Sequence, residues 1–310
     1  MRDVTVVQTL WSGYGQIARF ELLGGPIASA MVKWVSPPGQ AAHPRGWNSG
    51  RSHRRKLRSY QVELNWYRDF SANCDVHCRV PACYGTRALD GQFLFVLEDL
   101  DASGYHLRRS SLDLPGVEVG LKYLANFHAK FLGRSAVGLW PVGTYWHYAT
   151  RPDEWHAMLP GELKTHASAI DAMLNRCQFK TLVHGDAKVA NFCFSEGLQQ
   201  IAAVDFQYVG GGCGSKDVAY FLGSCLDDSA CHQQEVHFLN VYFSQLRTSL
   251  QREHPQVSPA DVESEWRRLY PFAWADFTRF MQGWCPGHVK LSRYSRQLTQ
   301  RVIQQLDSQA

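Results

Sequence analysis

The stretch Thr181-Leu182-Val183-His184-Gly185-Asp186-Ala187-Lys188-Val189-Ala190-Asn191-Phe192-Cys193-Phe194, continued by Ile201-Ala202-Ala203-Val204-Asp205-Phe206-Gln207, decides how the rest of the chain reads. An apolar triplet, 181–183, leads into a polar segment, and Phe192-Cys193-Phe194 leads out of it. A second apolar run, 201–204, delivers Asp205. With Ser195-Glu196-Gly197 between them, the two later runs predict a β-hairpin. On that reading Asp186, Asn191 and Asp205 sit at neighbouring strand ends, where three oxygen-bearing side chains can converge.

Asp, four intervening residues, Asn, then a second Asp is the order in which phosphoryl-transfer enzymes place a base and two magnesium ligands. That chemistry asks the protein for positioning and charge neutralisation more than for covalent steps. Mg²⁺ is a hard cation that takes oxygen ligands, a few from side chains and the rest from phosphates and water. Asn191 and Asp205 are therefore the expected metal ligands, and Asp186 is left to accept the proton of a hydroxyl group. Lys188 is placed for its cation to reach a transferring phosphoryl group. Asp and Asn also form ordinary turns; the other parts found upstream, in order, distinguish the two readings.

The 310 residues suffice for one large or two modest domains, and an apolar fraction of 45% with 19% charged residues is that of a folded globular protein. No apolar run approaches the length of a membrane span, and the first residues lack the apolar core of a signal peptide, so a cytoplasmic location is expected. A formal charge of +4 gives no ground for a nucleic-acid partner, and none is expected. The nine cysteines are scattered. Cys74, Cys78 and Cys83, with His77 among them, lack the second half of a zinc pattern and read as reduced thiols.

Residues 5–35 read as β-rich. Gly13-Tyr14-Gly15, between Trp11 and the strand-like 17–23, is either a plain hairpin turn or a glycine turn whose backbone can approach phosphates. In the strand 27–35, Lys33 shares a face with Met31 and Val35, and a cation on an apolar face needs a partner. The helix expected over Ser59–Phe70 supplies one: Glu63 lies on the face of Tyr60 and Tyr67. Lys33 and Glu63 are expected to pair and present the lysine to nucleotide phosphates. Between them, the Gly/Pro/Ser-rich stretch from Pro37 to Ser52 runs into Arg51, His53, Arg54, Arg55, Lys56 and Arg58. It reads as a solvated loop running into the start of a helix, or as a basic flap over an anionic ligand.

Phe93-Leu94-Phe95-Val96-Leu97 is a continuous apolar run of strand length, expected to be a buried central strand. It ends in Glu98-Asp99-Leu100-Asp101, an exposed linker with main-chain groups for a flat adenine edge. The composition change there places a boundary between domains 1–98 and 99–310. The pattern then turns helical. Leu121, Leu124, His128 and Phe131 share a face, and His128 is expected to support the catalytic loop. Trp140, Trp146 and Trp155 suit a pocket or the core equally. Gly210–Gly214 reads as flexible. Asp217 opens an apolar helix as a cap and is also placed to brace the catalytic loop. Residues 232–310 read as amphipathic helices with turns at His254-Pro255 and Cys285-Pro286-Gly287, forming a lid or acceptor pocket.

Taken together, Val96-Leu97-Glu98-Asp99-Leu100, Leu124-Ala125-Asn126-Phe127-His128-Ala129, His184-Gly185-Asp186 with Asn191, and Asp205-Phe206-Gln207 followed by Asp217–Leu222 make the chain resemble the aminoglycoside/choline kinase superfamily, in particular its ecdysteroid-kinase-like branch. The resemblance spans roughly residues 10–290. It implies an α+β, protein-kinase-like bilobal fold, with a small β-rich N-terminal lobe, a hinge near residue 98 and a larger, mainly helical C-terminal lobe. It implies ATP as donor, Mg²⁺ as cofactor and a small-molecule hydroxyl as acceptor; a monomer or homodimer is expected. By the same resemblance Asp186 is the base, Asn191 and Asp205 are metal ligands, Lys33 holds phosphate with Glu63 as its partner, Gly13 and Gly15 form the phosphate cover, and main-chain atoms at Glu98 and Leu100 meet adenine. Gln207 departs from the glycine of the protein-kinase motif, and the glycine turn lacks a third glycine. A nucleotide-binding scaffold without transfer is the alternative. A protein kinase ranks lower, because no Ala-Pro-Glu segment follows Asp205.

Overall fold

The computed structural model describes residues 3–10, 13–37 and 50–308, which group into two compact units: residues up to Arg108 with Phe192–Gln207, and Arg109–Asn191 with Tyr208 onward. The segment 38–49, with most of the Gly/Pro/Ser-rich stretch, lies outside the described residues, as does Trp11.

The first unit is built on a five-stranded antiparallel sheet in the order β1-β2-β3-β5-β4. Its strands are β1 (Val4–Thr9), β2 (Gly15–Glu21), β3 (Ser29–Val35), β4 (Cys83–Leu89) and β5 (Gln92–Glu98). One long helix, α1 (Gly50–Asp69), packs on one face through Tyr60 against Phe93 and Tyr67 against Phe95. The helix begins nine residues before the expected Ser59, so the basic run 51–58 is its first half and not a loop. Arg, Lys and Leu are good helix formers, and the polarity of the run had hidden the continuity. β5 lies between β3 and β4 but is buried on one face only: Phe93, Phe95 and Leu97 are buried while Leu94 is 36% exposed. An antiparallel sheet covered by one helix leaves its second face open, which corrects the expectation of a strand buried all round. The expected hairpin forms as β7 (Phe192–Phe194) and β8 (Ile201–Ala203), labelled in chain order after β6 below, with Phe192 opposite Ala203.

The second unit is mainly helical: α2 (Leu114–Lys130), α3 (Pro152–Ala157), α4 (Glu162–Asn175), α5 (Ser215–Cys225), α6 (Asp228–Glu253), α7 (Pro259–Trp284) and α8 (Arg293–Asp307). Its β-structure is one short ladder, β6 (Thr181–Val183) against β9 (Gly210–Gly212). The glycines of β9 are therefore a packed strand, not a flexible stretch. A Cβ on Gly210 would stand 2.2 Å from the carbonyl oxygen of Trp140, so the close approach excludes a side chain. Trp146 is core: it packs with Tyr220, Phe277 and Phe280, and its Nε1 donates to Asp276 at 3.1 Å. Among the described residues no helix is long and apolar enough to cross a membrane.

Candidate active site

In the first unit, alternation along β3 turns Lys33 inward, opposite Ile17 on β2 and Phe95 on β5. α1 turns Glu63 to meet it. The Lys33 Nζ donates to Glu63 Oε1 at 2.8 Å and Oε2 at 2.7 Å, and both side chains are buried. The rings of Tyr60 and Phe95 flank the amine at 5.5 and 5.7 Å. Burial pushes the Glu63 carboxyl above its ordinary pKa, and the Lys33 charge opposes that rise without cancelling it. A buried ion pair loses hydration on both members and holds only with good geometry; this bidentate one has it.

Asp205 follows β8 with φ of 67°, a left-handed backbone that a residue with a Cβ rarely adopts. Its Oδ1 lies 3.9 Å from Lys33 Nζ. Phe206, fully buried, locks the turn by stacking on Trp66 at 4.3 Å and meeting Tyr67 edge-on. Gln207 then does what a glycine cannot. Its Nε2 donates to Asp205 Oδ1 at 2.7 Å, and its Oε1 accepts from Lys56 Nζ at 2.9 Å and Ser59 Oγ at 3.1 Å. Lys56, Ser59, Glu63, Trp66 and Tyr67 thus form one face of α1 that holds both Lys33 and the 205–207 turn. Sequence reading placed Lys56 only in a basic run. The signal that could have found it is its spacing of seven residues before Glu63, two helical turns on the same face.

Gly13 and Gly15 both have positive φ, 72° and 131°. Gly15 is required sterically: a Cβ there would meet the Trp34 carbonyl oxygen at 2.0 Å. Tyr14 between them is buried, with its hydroxyl 2.7 Å from His53 Nδ1 on α1. The stretch after β5 is not an exposed linker. Burial raises the Glu98 carboxyl, but Arg79, the Ala82 N–H and Ser103 outweigh it and hold the group below its ordinary value. Asp99 is likewise held down, against burial, by Arg19 and Ser29. The Glu98 N–H donates to Ala82 O and the Leu100 carbonyl accepts from Tyr105 N, both at 2.8 Å. Leu100 itself packs on Cys193 and Ala202 of the hairpin.

In the second unit, β6 delivers the chain to Asp186 through Gly185, whose φ of 79° brings it against the Tyr208 carbonyl; a Cβ there would lie 2.1 Å from that oxygen. The loop is braced by Asp217, wholly buried on α5. Its Oδ2 accepts from His184 N at 2.6 Å and its Oδ1 from Gly185 N at 3.0 Å. His128 of α2 stands 3.1 Å from Asp217 Oδ2 and 2.7 Å from the Tyr242 hydroxyl. Both residues therefore support the loop. Asp217 makes its bonds to the loop, and no side chain caps the helix it opens.

Asp186 Oδ2 accepts from Lys188 Nζ at 2.9 Å and Asn191 Nδ2 at 3.0 Å. Its Oδ1 is buried and accepts no well-formed hydrogen bond among the described residues, although the Tyr220 hydroxyl interacts with the same carboxylate. A buried unpaired carboxylate oxygen is costly, and it is the kind of defect a reacting group leaves. Asn191 also donates Nδ2 to Asp186 O at 2.8 Å, which leaves its Oδ1 as the amide's acceptor. The charge on Asp186 reaches the hydroxyls of Tyr145 and Tyr220, whose pKa values rise first through burial and then through that charge.

Lys33, Glu63 and Asp205 thus lie together in the first unit, and Asp186, Lys188 and Asn191 lie together in the second. Asp205, with its carboxylate about one-third exposed, and Asn191, through its amide oxygen, are hard donors that fit Mg²⁺. A buried lysine with its charge matched fits nucleotide phosphates.

Among solved structures, the choline kinase of Cryptosporidium parvum matches 99% of this chain and 89% of its own, with a TM-score of 0.54 at 11% identity. The ethanolamine kinase of Plasmodium vivax matches 97% of this chain and 82% of its own, with a TM-score of 0.50 at 10% identity. At such identities the likeness speaks for the fold alone, and that fold is the protein-kinase-like one. No curated protein matches the chain. The model of the ecdysteroid kinase-like family matches residues 49–132 and 156–254, more than half of the sequence. That match includes α1 with Glu63, the braced loop with Asp186 and Asn191, and the Asp205-Phe206-Gln207 turn, and the chain accordingly belongs to the ecdysteroid kinase-like family.

Proposed function

We propose that the protein is an ATP- and Mg²⁺-dependent phosphotransferase that moves the γ-phosphoryl group of ATP to a hydroxyl of a small organic molecule. The observation that carries this reading is the divided Asp186 carboxylate: one oxygen is pinned by Lys188 and Asn191, the other is buried without a well-formed hydrogen bond. A carboxylate so placed accepts a proton from a hydroxyl as that oxygen bonds to the γ-phosphorus and the bond to ADP breaks. In this reading Lys33, oriented by Glu63, holds the nucleotide phosphates. Asn191 and Asp205 are the metal ligands, and Lys188 offsets charge on the transferring group. Main-chain atoms at Glu98 and Leu100 face adenine, with the Gly13 and Gly15 turn as phosphate cover. Mg²⁺, when bound, neutralises phosphate charge.

The test is incubation with Mg²⁺·ATP and a metabolite extract, read by mass spectrometry for products heavier by one phosphate. Products should appear with the native protein and vanish with Asp186→Asn, while calorimetry shows ATP binding retained. Equal product from both proteins would remove Asp186 as the base.

A further inference from the structure

The charges around Asp186 do not balance. Within the second unit the carboxylates near the aromatic cluster each face a basic side chain. Asp186 has Lys188 at 2.9 Å, Glu154 has Arg151 at 3.0 Å, Asp276 has Arg279 at 2.9 Å and Lys216 at 3.9 Å, and Asp171 has the His147 ring at 3.2 Å. Lys290, in the turn between α7 and α8, is the reverse case: among the described residues no carboxylate pairs with it and no hydrogen-bond acceptor meets its Nζ. Its amine lies instead over the rings of Tyr220 at 4.9 Å and Phe277 at 5.7 Å. Burial lowers its pKa, the negative charge of Asp186 works against that fall, and Lys188 adds to it. Tyr220, beneath the Lys290 amine, has its hydroxyl 3.3 Å from that of Tyr145, whose N–H donates to Gly185 O at 3.1 Å next to Asp186, so Lys290 stands in the aromatic cluster that carries the loop of the proposed base.

The same cluster holds a second covered pair of rings, with the Arg151 guanidinium over Phe280 at 5.2 Å and Tyr145 at 5.8 Å. Aromatic faces attract an ammonium ligand when they are free. Here protein cations already occupy them, and a further positive charge beside Lys290 meets repulsion. An anionic group meets the opposite: an ammonium with three unused donors, partly stripped of water, where a charge-assisted bond is strong.

Resting on the kinase reading of Asp186, we propose that Lys290 selects the acceptor: the alcohol carries an anionic group, a carboxylate or a phosphate ester, that pairs with the Lys290 amine, and alcohols carrying an ammonium group are rejected. The cluster that composition alone would assign to an apolar or cationic ligand becomes a filter against cations.

The experiment uses the full chain and four small alcohols as probes: glycerate, glycerol phosphate, glycerol and aminopropanol. Binding without nucleotide is read by ligand-observed NMR, and phosphate transfer from ATP by mass spectrometry. One anionic alcohol should bind about tenfold tighter than aminopropanol, the worth of a single charge-assisted contact; which anion binds tighter tells carboxylate from phosphate. Lys290→Met should erase the preference, Lys290→Glu reverse it and Lys290→Arg keep it, with unchanged thermal unfolding certifying the fold of each. Equal binding of aminopropanol and the anions, or a preference that survives in Lys290→Met, overturns the proposal. Transfer that is blind to acceptor charge sinks it while leaving the kinase reading standing. A Lys290-dependent anion preference with no phosphate transferred would sink the kinase reading instead.

Discussion

The two charged clusters are built on opposite principles. Around Lys33 the charges are matched: the amine has both oxygens of Glu63 at 2.7 and 2.8 Å, and Gln207 links Asp205 to Lys56 and Ser59. Around Asp186 the matching stops one atom short, with Oδ1 buried without a well-formed hydrogen bond although the loop beneath it is held by Asp217 and His128. A closed cluster presents a charge in a fixed place; an open one keeps a reactive atom available at the expense of stability. The difference teaches which residues to expect in holding roles and which in chemistry.

The largest effect should come from the open cluster. Asp186→Asn should lower the rate of transfer by about 10²–10⁴-fold, the usual worth of a positioned base, with only a small loss of stability, since it weakens a part-exposed pair with Lys188 and Oδ1 has no well-formed bond to lose. A variant that instead unfolds would show that Asp186 belongs to the closed kind. In the matched cluster the balance reverses. Lys33→Met leaves Glu63 buried without its cation and should destabilise the fold by about 3–5 kcal/mol in urea titrations. The double variant Lys33→Met with Glu63→Leu should recover most of that stability and none of the nucleotide affinity. Recovery of both would break the comparison.

Gln207→Leu tests the middle ground. It strips the donor from Asp205 and the acceptor from Lys56 and Ser59, and should cost about 1–3 kcal/mol. Calorimetry should also show weaker binding of Mg²⁺·ATP than in the native protein; unchanged affinity would make the clamp merely structural.

The smallest effect lies in pH dependence. The Glu63 pKa is raised on folding, so the folded state holds its proton more tightly, and its contribution falls as pH rises through that raised value. Glu98 is lowered, so its contribution is present above the ordinary glutamate value and lost as pH falls through the folded one. Thermal melts from neutral to acid pH should therefore lose stability less steeply in Glu98→Gln and more steeply in Glu63→Gln than in the native protein. The same sign for both would show that burial and pairing do not separate the two carboxyls.

Much of this was legible locally. Lys33 and Glu63 announce themselves by inward position on a strand and on a helix, and the 192–203 hairpin by apolar runs around Ser195-Glu196-Gly197. Asp217 and His128 stood out as polar residues on apolar faces. Local patterns failed where packing overrode them. Arg51–Arg58 looked like a loop leading into a helix because polarity hid good helix propensity, and Gly210–Gly212 looked flexible because a strand made of glycine carries no apolar signal. Asp99 and Glu98 looked exposed because their guanidinium partners, Arg19 and Arg79, lie on other segments.

By itself the sequence determined most of the elements and the order of the acidic and amide residues, which rest on spacing and periodicity along the chain, and its motifs carried the resemblance to a kinase-like class. Only the tertiary structure decided which oxygen of Asp186 stays open, that Gln207 ties the 205–207 turn to a helix 148 and 151 residues earlier, and that Lys290 comes to lie over Tyr220 and Phe277. The physical reason is range: backbone preference acts over a few neighbours, whereas the pairing of buried charges depends on which distant side chains lose their water together.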